Sequence, residues 1–347
     1  IKEHLREKGT AVIRNKNAEA ADEFPLLTGG IISKEELWAC TTCGACEYEC
    51  PVNNEHISKI VDVRRYLVLE ENKFPELLKG MFKNIDNNYS PWAVNYQDRA
   101  KWAEGLSVKT VKDNPDFEIL WWVGCAPSID PRAQKTAVAF AKILEKAGVN
   151  YAILGNLEKC CGDPVRKTGS EDRFQMLAEE NIETLNNALV DKKERRILTM
   201  CPHGLNTLRN DYAEFGGKFN VISHVEFLLE LINQGKLTLK NPQTKKIAYH
   251  DSCYLGRYNN VYEAPRKVLE FACGNVKPLE LEDNHNKSLC CGAGGGWNWM
   301  EETIGKRINV ERTEQVLNAG AEVIASACPF CLTMFEDAAK VMNKDET

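Results

Sequence analysis

The sequence predicts an α/β protein with two tandem, duplicated α/β half-domains behind a smaller helical module. Three observations carry this expectation. From residue 117 onward, short apolar runs of strand length alternate with longer helical patterns, as in parallel βαβ units. The order of these elements then recurs after roughly 120 residues, an internal duplication. The cysteines recur with it. Cys125, the pair Cys160–Cys161 followed by Gly162, and Cys201 mark the first copy. Cys253, the pair Cys290–Cys291 followed by Gly292, and Cys328 mark the second, where Cys328 opens a C-x-x-C with Cys331. The expected boundaries are 1–112 for the helical module, 113–240 for the first half-domain and 241–347 for the second.

Taken in order, Ile1–Lys8 reads as a helix, followed by a charged irregular stretch and a loop at 25–30. A second helix over 31–38 carries a capping box, with Ser33 as N-cap and Glu36 three residues on. Residues 56–71 form an apolar-striped helix, and 84–91 a polar loop. Trp92, Tyr96 and Trp102 are read as core and cover in preference to a partner surface. Strands are expected at 118–124, 151–154, 196–200 and 220–222. Helices are expected at 132–147, 170–189, 205–215 and 225–235. In the second copy, strands fall at 246–250, 276–281 and 322–325, with helices at 265–272, 297–319 and 330–342. In each copy the cysteines lie at or beyond strand C-termini or in the loops that follow, where open α/β sheets place their ligand sites.

At 347 residues and a net charge of -6, the chain can bury a large core and has no basic field for nucleic acid. Its longest apolar run, 119–126, is a buried strand and far short of a membrane span. The sequence shows neither a signal peptide nor an initiator Met, so we expect a chain with a further segment upstream of Ile1. Fourteen cysteines, thirteen of them in three clusters, point to metal or redox use in a reducing, cytoplasmic compartment, not to a secreted disulfide scaffold.

The first cluster, Cys40-x-x-Cys43-x-x-Cys46-x-x-x-Cys50-Pro51, is the bacterial ferredoxin run. Three closely spaced thiolates can wrap one face of a [4Fe–4S] cube, with Gly44 letting the backbone approach. Zinc sites usually come as separated pairs. No second run is present, so Cys50 either serves a cluster whose own run lies upstream, closes the same cluster, or leaves a ligand to a partner. In the repeats, adjacent cysteines strain a single tetrahedral ion but can ligate different irons of a larger cluster. Helix starts at Cys201 and Cys328 favour anionic sulfur.

Other candidates are read structurally. His203 is taken as a surface or capping residue in preference to a ligand, and His224 as structural. The His250–Asp251 pair is taken as a strand-end hydrogen bond in preference to a proton relay. Arg257 is equally an anion-attracting or an ion-paired residue. The Gly292–Gly296 loop packs against the cysteine pair and is not a phosphate loop. Cys273 is a buried thiol.

The strings HDSCYLGR (250–257), CCGAGGGWNWMEE (290–302), INVERT (308–313) and ACPFCLTM (327–334) carry a family resemblance. Residues 118–335 resemble the cysteine-rich CCG domain. That domain occurs in the B- and D-type heterodisulfide reductase subunits and in iron–sulfur subunits of glycolate, lactate and anaerobic glycerol-3-phosphate dehydrogenases. The strings look most like the iron–sulfur oxidoreductases associated with electron-transfer flavoprotein, the type that reduces quinone.

The resemblance implies a noncubane [4Fe–4S] cluster on Cys253, Cys290, Cys291, Cys328 and Cys331. The first copy departs from it, because Gly204 stands where the fifth cysteine would be. Cys125, Cys160, Cys161 and Cys201 then imply either an ordinary [4Fe–4S] cluster or a site without metal. The function implied is electron transfer between a flavoprotein, electron-transfer flavoprotein or an FAD-containing dehydrogenase subunit, and membrane quinone. Haem b would sit in a segment or cytochrome b subunit outside this chain, holding it at the cytoplasmic face. The alternatives are disulfide reduction at the second-copy cluster, an iron–sulfur subunit of a hydroxyacid dehydrogenase complex, and a zinc-organised scaffold.

Overall fold

The computed structural model describes residues 2–15 and 24–344, and the chain divides into two units, Ile1–Thr41 and Thr42–Thr347. In the first unit a helix spans Lys2–Asn15. It runs past the expected end at Lys8, because the sequence beyond Gly9 is again helix-compatible. Ile1 and residues 16–23 of the expected irregular stretch lie outside the described residues. The turn at 25–30 closes through Ile31 N–H donating to Leu26 O at 3.0 Å. The helix Lys34–Ala39 begins at the expected capping box, Ser33 with Glu36, and buries Leu37 and Trp38.

The second unit opens on the short helix Ala45–Tyr48, entered through Gly44 at φ +80°. The helices His56–Leu69 and Leu78–Asn88 follow. The second of these corrects the loop expected at 84–91. Leu78, Met81, Phe82 and Ile85 are all buried on one face, and that stripe outweighs the polar run Asn84–Asn88. The chain leaves this helix through Tyr89 at φ +52°.

The first repeat is a four-stranded parallel sheet of β1 (Ile119–Trp122), β2 (Tyr151–Ile153), β3 (Arg196–Thr199) and β4 (Asn220–Ser223), in the order β2-β1-β3-β4. Its register pairs Leu120 with both Ala152 and Ile197, and Leu198 with Ile222. The helices Pro131–Lys146, Glu171–Ala188 and Pro202–Arg209 are the crossovers that parallel strands require, and His224–Asn233 leads from β4 to the second repeat. One core cluster centres on Trp121, with Trp102 and Phe140 edge-on to it at 5.2 Å each. Trp102 is thus core, as expected, while Tyr96 stays exposed.

The second repeat pairs β5 (Ile247–His250) with β6 (Val323–Ser326) in parallel. The strand expected at 276–281 does not form; only Leu279 bridges to Ala248. Pro278 has no N–H to give to a ladder, and Glu280 is drawn to Arg266 at 2.7 Å. The long helix expected over 297–319 is also shorter, Ile308–Asn318. Residues 297–299 make one tight turn, Met300 is extended, and Gly305 sits at φ +71°. The Glu302 carboxylate then accepts the Ile308 N–H at 2.9 Å and starts the helix there. The last helix is Pro329–Val341. No helix among the described residues is long and apolar enough to cross a membrane.

Candidate metal centre

In the second repeat, β5 delivers Cys253 to the C-terminal edge of the sheet. The Cys290–Cys291 pair arrives on a loop. Cys328 is the N-cap of the helix Pro329–Val341, and Cys331 lies in its first turn. All five are buried. The Cys331 thiol donates to Cys291 Sγ at 3.2 Å, and Gly292 N–H donates to Cys290 Sγ at 3.3 Å. Gly292 does so at φ +96°, a conformation costly for any residue with a Cβ. The Ser252 hydroxyl lies 3.7 Å from Cys331 Sγ. The ligating atoms of His250, Cys291 and Cys331 all lie within 4.8 Å of one another. Cys253 and Cys290 share a hydrogen bond that pushes Cys253 well above the usual thiol range and holds Cys290 below it.

The first repeat builds the same parts. β1 leads into Cys125, Gly162 N–H donates to Cys160 Sγ at 3.4 Å from φ +92°, and Cys201 is the N-cap of the helix Pro202–Arg209. Gly204 occupies the place of Cys331. The site also holds two residues that sequence reasoning missed. Arg99 sets both terminal nitrogens against Cys125 Sγ, at 3.5 and 3.6 Å, and Nη2 donates to Glu158 at 2.7 Å. Glu158 also accepts the Val123 and Gly124 N–H groups at 2.8 Å each. A hydrogen bond from Cys160, with Arg99 alongside, lowers Cys125 to about 7 against the opposing effect of burial.

The ferredoxin run is distributed. Cys40 is the C-cap of its helix in the first unit. In the second unit, the loop bearing Cys43 docks on the second repeat. Tyr258 OH donates to Thr42 O at 2.8 Å, Thr42 Oγ1 meets Tyr254 OH at 2.9 Å, and Arg257 Nη1 donates to Cys43 O at 3.1 Å. Cys43 itself hydrogen-bonds Cys290. The structure therefore brings Cys43 to Cys253 and Cys290, a meeting that the spacing of the run did not reveal. Cys46 is exposed, and Cys50 Sγ accepts the Asn54 N–H at 3.3 Å.

His203 is neither a surface nor a capping residue. It is buried, its Nδ1 lies 2.8 Å from Asp163 Oδ2, and its ring stacks on Tyr254, because the repeats close over it. His250 is buried beneath Phe335 and Arg312, and Asp251 binds Arg266 at 2.8 Å through each oxygen. Arg257 gives its donors to backbone carbonyls of Cys43, Asn286 and Ser288, so it is a strut. His224 packs edge-on to Phe140, and Cys273 is buried at a helix end. Gly296 packs so tightly that a Cβ there would clash with the Thr168 side chain.

A set of five buried sulfurs exceeds what one tetrahedral ion needs, and thiolates suit iron–sulfur centres. Burial raises several of these thiols, Cys201 and Cys328 among them, so ionising the set together requires compensating positive charge, which metal would bring. The donor sets of both repeats fit such a group.

The CCG cysteine-rich domain matches residues 119–209 and 247–336. The chain is 46% identical over 336 residues to the Bacillus subtilis protein named "Probable iron-sulfur-binding oxidoreductase FadF", covering 95% of this chain and 47% of that one. It is 41% identical over 329 residues to the EtfAB:quinone oxidoreductase of Syntrophomonas wolfei, covering 91% of this chain and 45% of the relative. With the D-type subunit of the dihydromethanophenazine:CoB–CoM heterodisulfide reductase of Methanosarcina barkeri it shares 30% over 325 residues, covering 90% of this chain and 75% of the relative. The chain spans about half the length of the first two. With two matched copies of the domain and relatives named as oxidoreductases, the chain belongs to the CCG cysteine-rich domain family.

Proposed function

We propose that this chain is an iron–sulfur electron-transfer subunit working between a flavoprotein and membrane quinone. The flavoprotein is electron-transfer flavoprotein or an FAD-containing dehydrogenase subunit. The quinone is reached through a haem-b segment or subunit at the cytoplasmic face. The observation that carries this reading is the docking of the Cys43 loop against Cys253 and Cys290, which sets one cysteine group directly on another. The 41% identity to an EtfAB:quinone oxidoreductase supports the choice of partners.

The reading has three parts: a helical ferredoxin-like module over 1–112 and the two repeats over 113–240 and 241–347. From its spacing, the run of Cys40, Cys43, Cys46 and Cys50 holds a [4Fe–4S] cluster. Cys253, Cys290, Cys291, Cys328 and Cys331 hold the noncubane cluster, and Cys125, Cys160, Cys161 and Cys201 hold an ordinary one. When bound, such clusters take up and release single electrons. This chain's own residues bury the five sulfurs of the second repeat, orient Cys160 and Cys290 through the glycine N–H groups at 162 and 292, and exclude water with the Tyr254–Tyr258 stack. Two electrons and two protons leave the reduced flavin, and quinone takes up two of each. Only the electrons pass through this chain.

A second reading, disulfide reduction at the second repeat, is favoured by its complete buried five-cysteine set beside His250. One experiment separates the two: anaerobic iron and sulfide analysis with EPR on the full chain and on Cys331→Ser, followed by mixing with reduced flavoprotein. The relay reading expects reoxidation of the flavin by wild type with no thiol substrate present. Failure of that transfer, together with thiol-dependent change in the signal that Cys331→Ser perturbs, would favour the reductase.

A further inference from the structure

We propose that Arg99 is a positioning residue that raises the redox potential of the first-repeat cluster by fixing a guanidinium on the Cys125 sulfur. The inference rests on the reading above, that the first-repeat thiols hold iron and sulfide.

The contact is built, not incidental. Arg99 is 4% exposed and Glu158 2%, and both terminal nitrogens of Arg99 face one sulfur. Glu158 accepts from Nη2, one of the two nitrogens that face the sulfur, and so anchors the guanidinium there. The two backbone N–H groups that hold Glu158 belong to Val123 and Gly124, the residues that lead from β1 into Cys125. The strand end that delivers the sulfur therefore also fixes the cation beside it, and the fork cannot swing away without breaking three hydrogen bonds. Burying an ion pair is in itself a weak source of stability, so its place against a ligating sulfur calls for a reason beyond folding. Hydrogen bonds to cluster sulfur and nearby positive charge favour the electron-rich, reduced state, and low dielectric strengthens both effects.

The second repeat is built differently. Two residues before its cysteine pair, where the first repeat has Glu158, stands Ser288; the counterpart of Gly124 is Ser252. Arg257 and Arg312, the guanidiniums that brace its cysteine-bearing loop at Ser288, give their N–H groups to oxygens and to His250. The Ser252 hydroxyl and Gly292 N–H face the sulfurs instead. The duplication has thus diverged in the charge applied to its sulfurs as well as in their number.

The test is an EPR-monitored potentiometric titration of the anaerobically purified full chain, the first-repeat signal being the one lost in Cys125→Ser. Arg99→Gln should titrate at a lower potential than wild type, and Arg99→Lys between the two. Glu158→Gln, which leaves the guanidinium without its counter-charge, should titrate higher, and the other signals should stay in place. A structural role alone would lower iron content but would not produce shifts of opposite sign. Wild-type potential in Arg99→Gln of full iron content would overturn the inference, as would a downward shift in Glu158→Gln. If Arg99→Gln fails to hold iron, the signs of the shifts in Arg99→Lys and Glu158→Gln decide. A Cys125→Ser protein with unchanged iron and an unchanged spectrum would instead remove the occupied first repeat, and this inference with it.

Discussion

The His203 imidazole lies over the Tyr254 ring with 4.1 Å between centroids and 30° between planes. His203 is two residues beyond Cys201 and Tyr254 is next to Cys253, so this single contact joins cysteine-bearing segments of the two repeats. Tyr254 also stacks on Tyr258 and bonds Thr42, which ties the Cys43 loop to the same column. Tyr254→Phe keeps the stack and loses one buried hydrogen bond, at a cost of about 1 kcal/mol. Tyr254→Ala opens a cavity at a fully buried ring, at a cost of about 3–5 kcal/mol. Anaerobic denaturation midpoints, followed by loss of visible absorbance, should fall in that order. Equal midpoints would show that the column does not hold the repeats together.

Gly204 occupies the place that Cys331 holds in the second repeat. A Cβ there meets Thr199 Oγ1 at 3.6 Å, Cys201 Cβ at 3.8 Å and Trp122 Cδ1 at 3.9 Å, all ordinary contacts. A Cβ at 204 therefore fits without displacing the helix Pro202–Arg209, and Gly204→Cys is the variant that adds a sulfur to it. It should give the first repeat a fifth thiol and change its EPR signal towards that of the second. An unchanged spectrum would mean that sulfur number does not distinguish the two sites.

Six of the seven expected strands form; β1, β2 and β5 were legible because they are short, apolar and buried along their whole length, and the cysteines were legible because their spacing repeats. What stayed hidden depends on contacts distant in sequence. Arg99 lies in a stretch without periodicity, 26 residues from Cys125 and 59 from Glu158. Its only trace was the mismatch of Glu158 with Ser288 when the two cysteine pairs are aligned. The meeting of Cys43 with Cys290 was hidden because the run reads as self-contained. The helix expected at 297–319 failed for a local reason. Its apolar residues have helical spacing, yet Gly305 and the Glu302 cap place the start at Ile308.

The two glycines that follow the cysteine pairs are not equally demanding. Both sit near φ +90°, but a Cβ on Gly162 would lie 2.6 Å from the Phe174 ring, whereas one on Gly292 would meet the end of Met334 at 3.2 Å. Met yields and a buried ring does not. Gly292→Ala should cost about 1–2 kcal/mol from left-handed backbone strain. Gly162→Ala should cost more, about 2–4 kcal/mol, because overpacking adds to that strain. Equal losses in thermal midpoint would sink the argument.

His224 gives the fold a specific acid sensitivity. Although the residue keeps some exposure, its Nδ1 is sealed from solvent and its ring packs on Phe140. Burial pulls its pKa from the ordinary 6.5 down to about 4, against a smaller opposing effect from its hydrogen bond to the Thr199 backbone. The folded state therefore stays neutral at pH values where the unfolded chain has already bound a proton. The resulting stability is fully present above pH 6.5 and is lost as pH falls from 6.5 towards 4. The loss is at most about 3 kcal/mol, the free energy of moving one proton across that pH interval. His224→Gln has no proton to take up in this range and keeps a donor for the Thr199 carbonyl. The difference in denaturation midpoint between variant and wild type, measured at matched iron content, should therefore change in the variant's favour between pH 7 and pH 5. A difference independent of pH would show that His224 does not titrate as its surroundings require. His250, also pushed down by burial, is present in both proteins and cancels in the comparison.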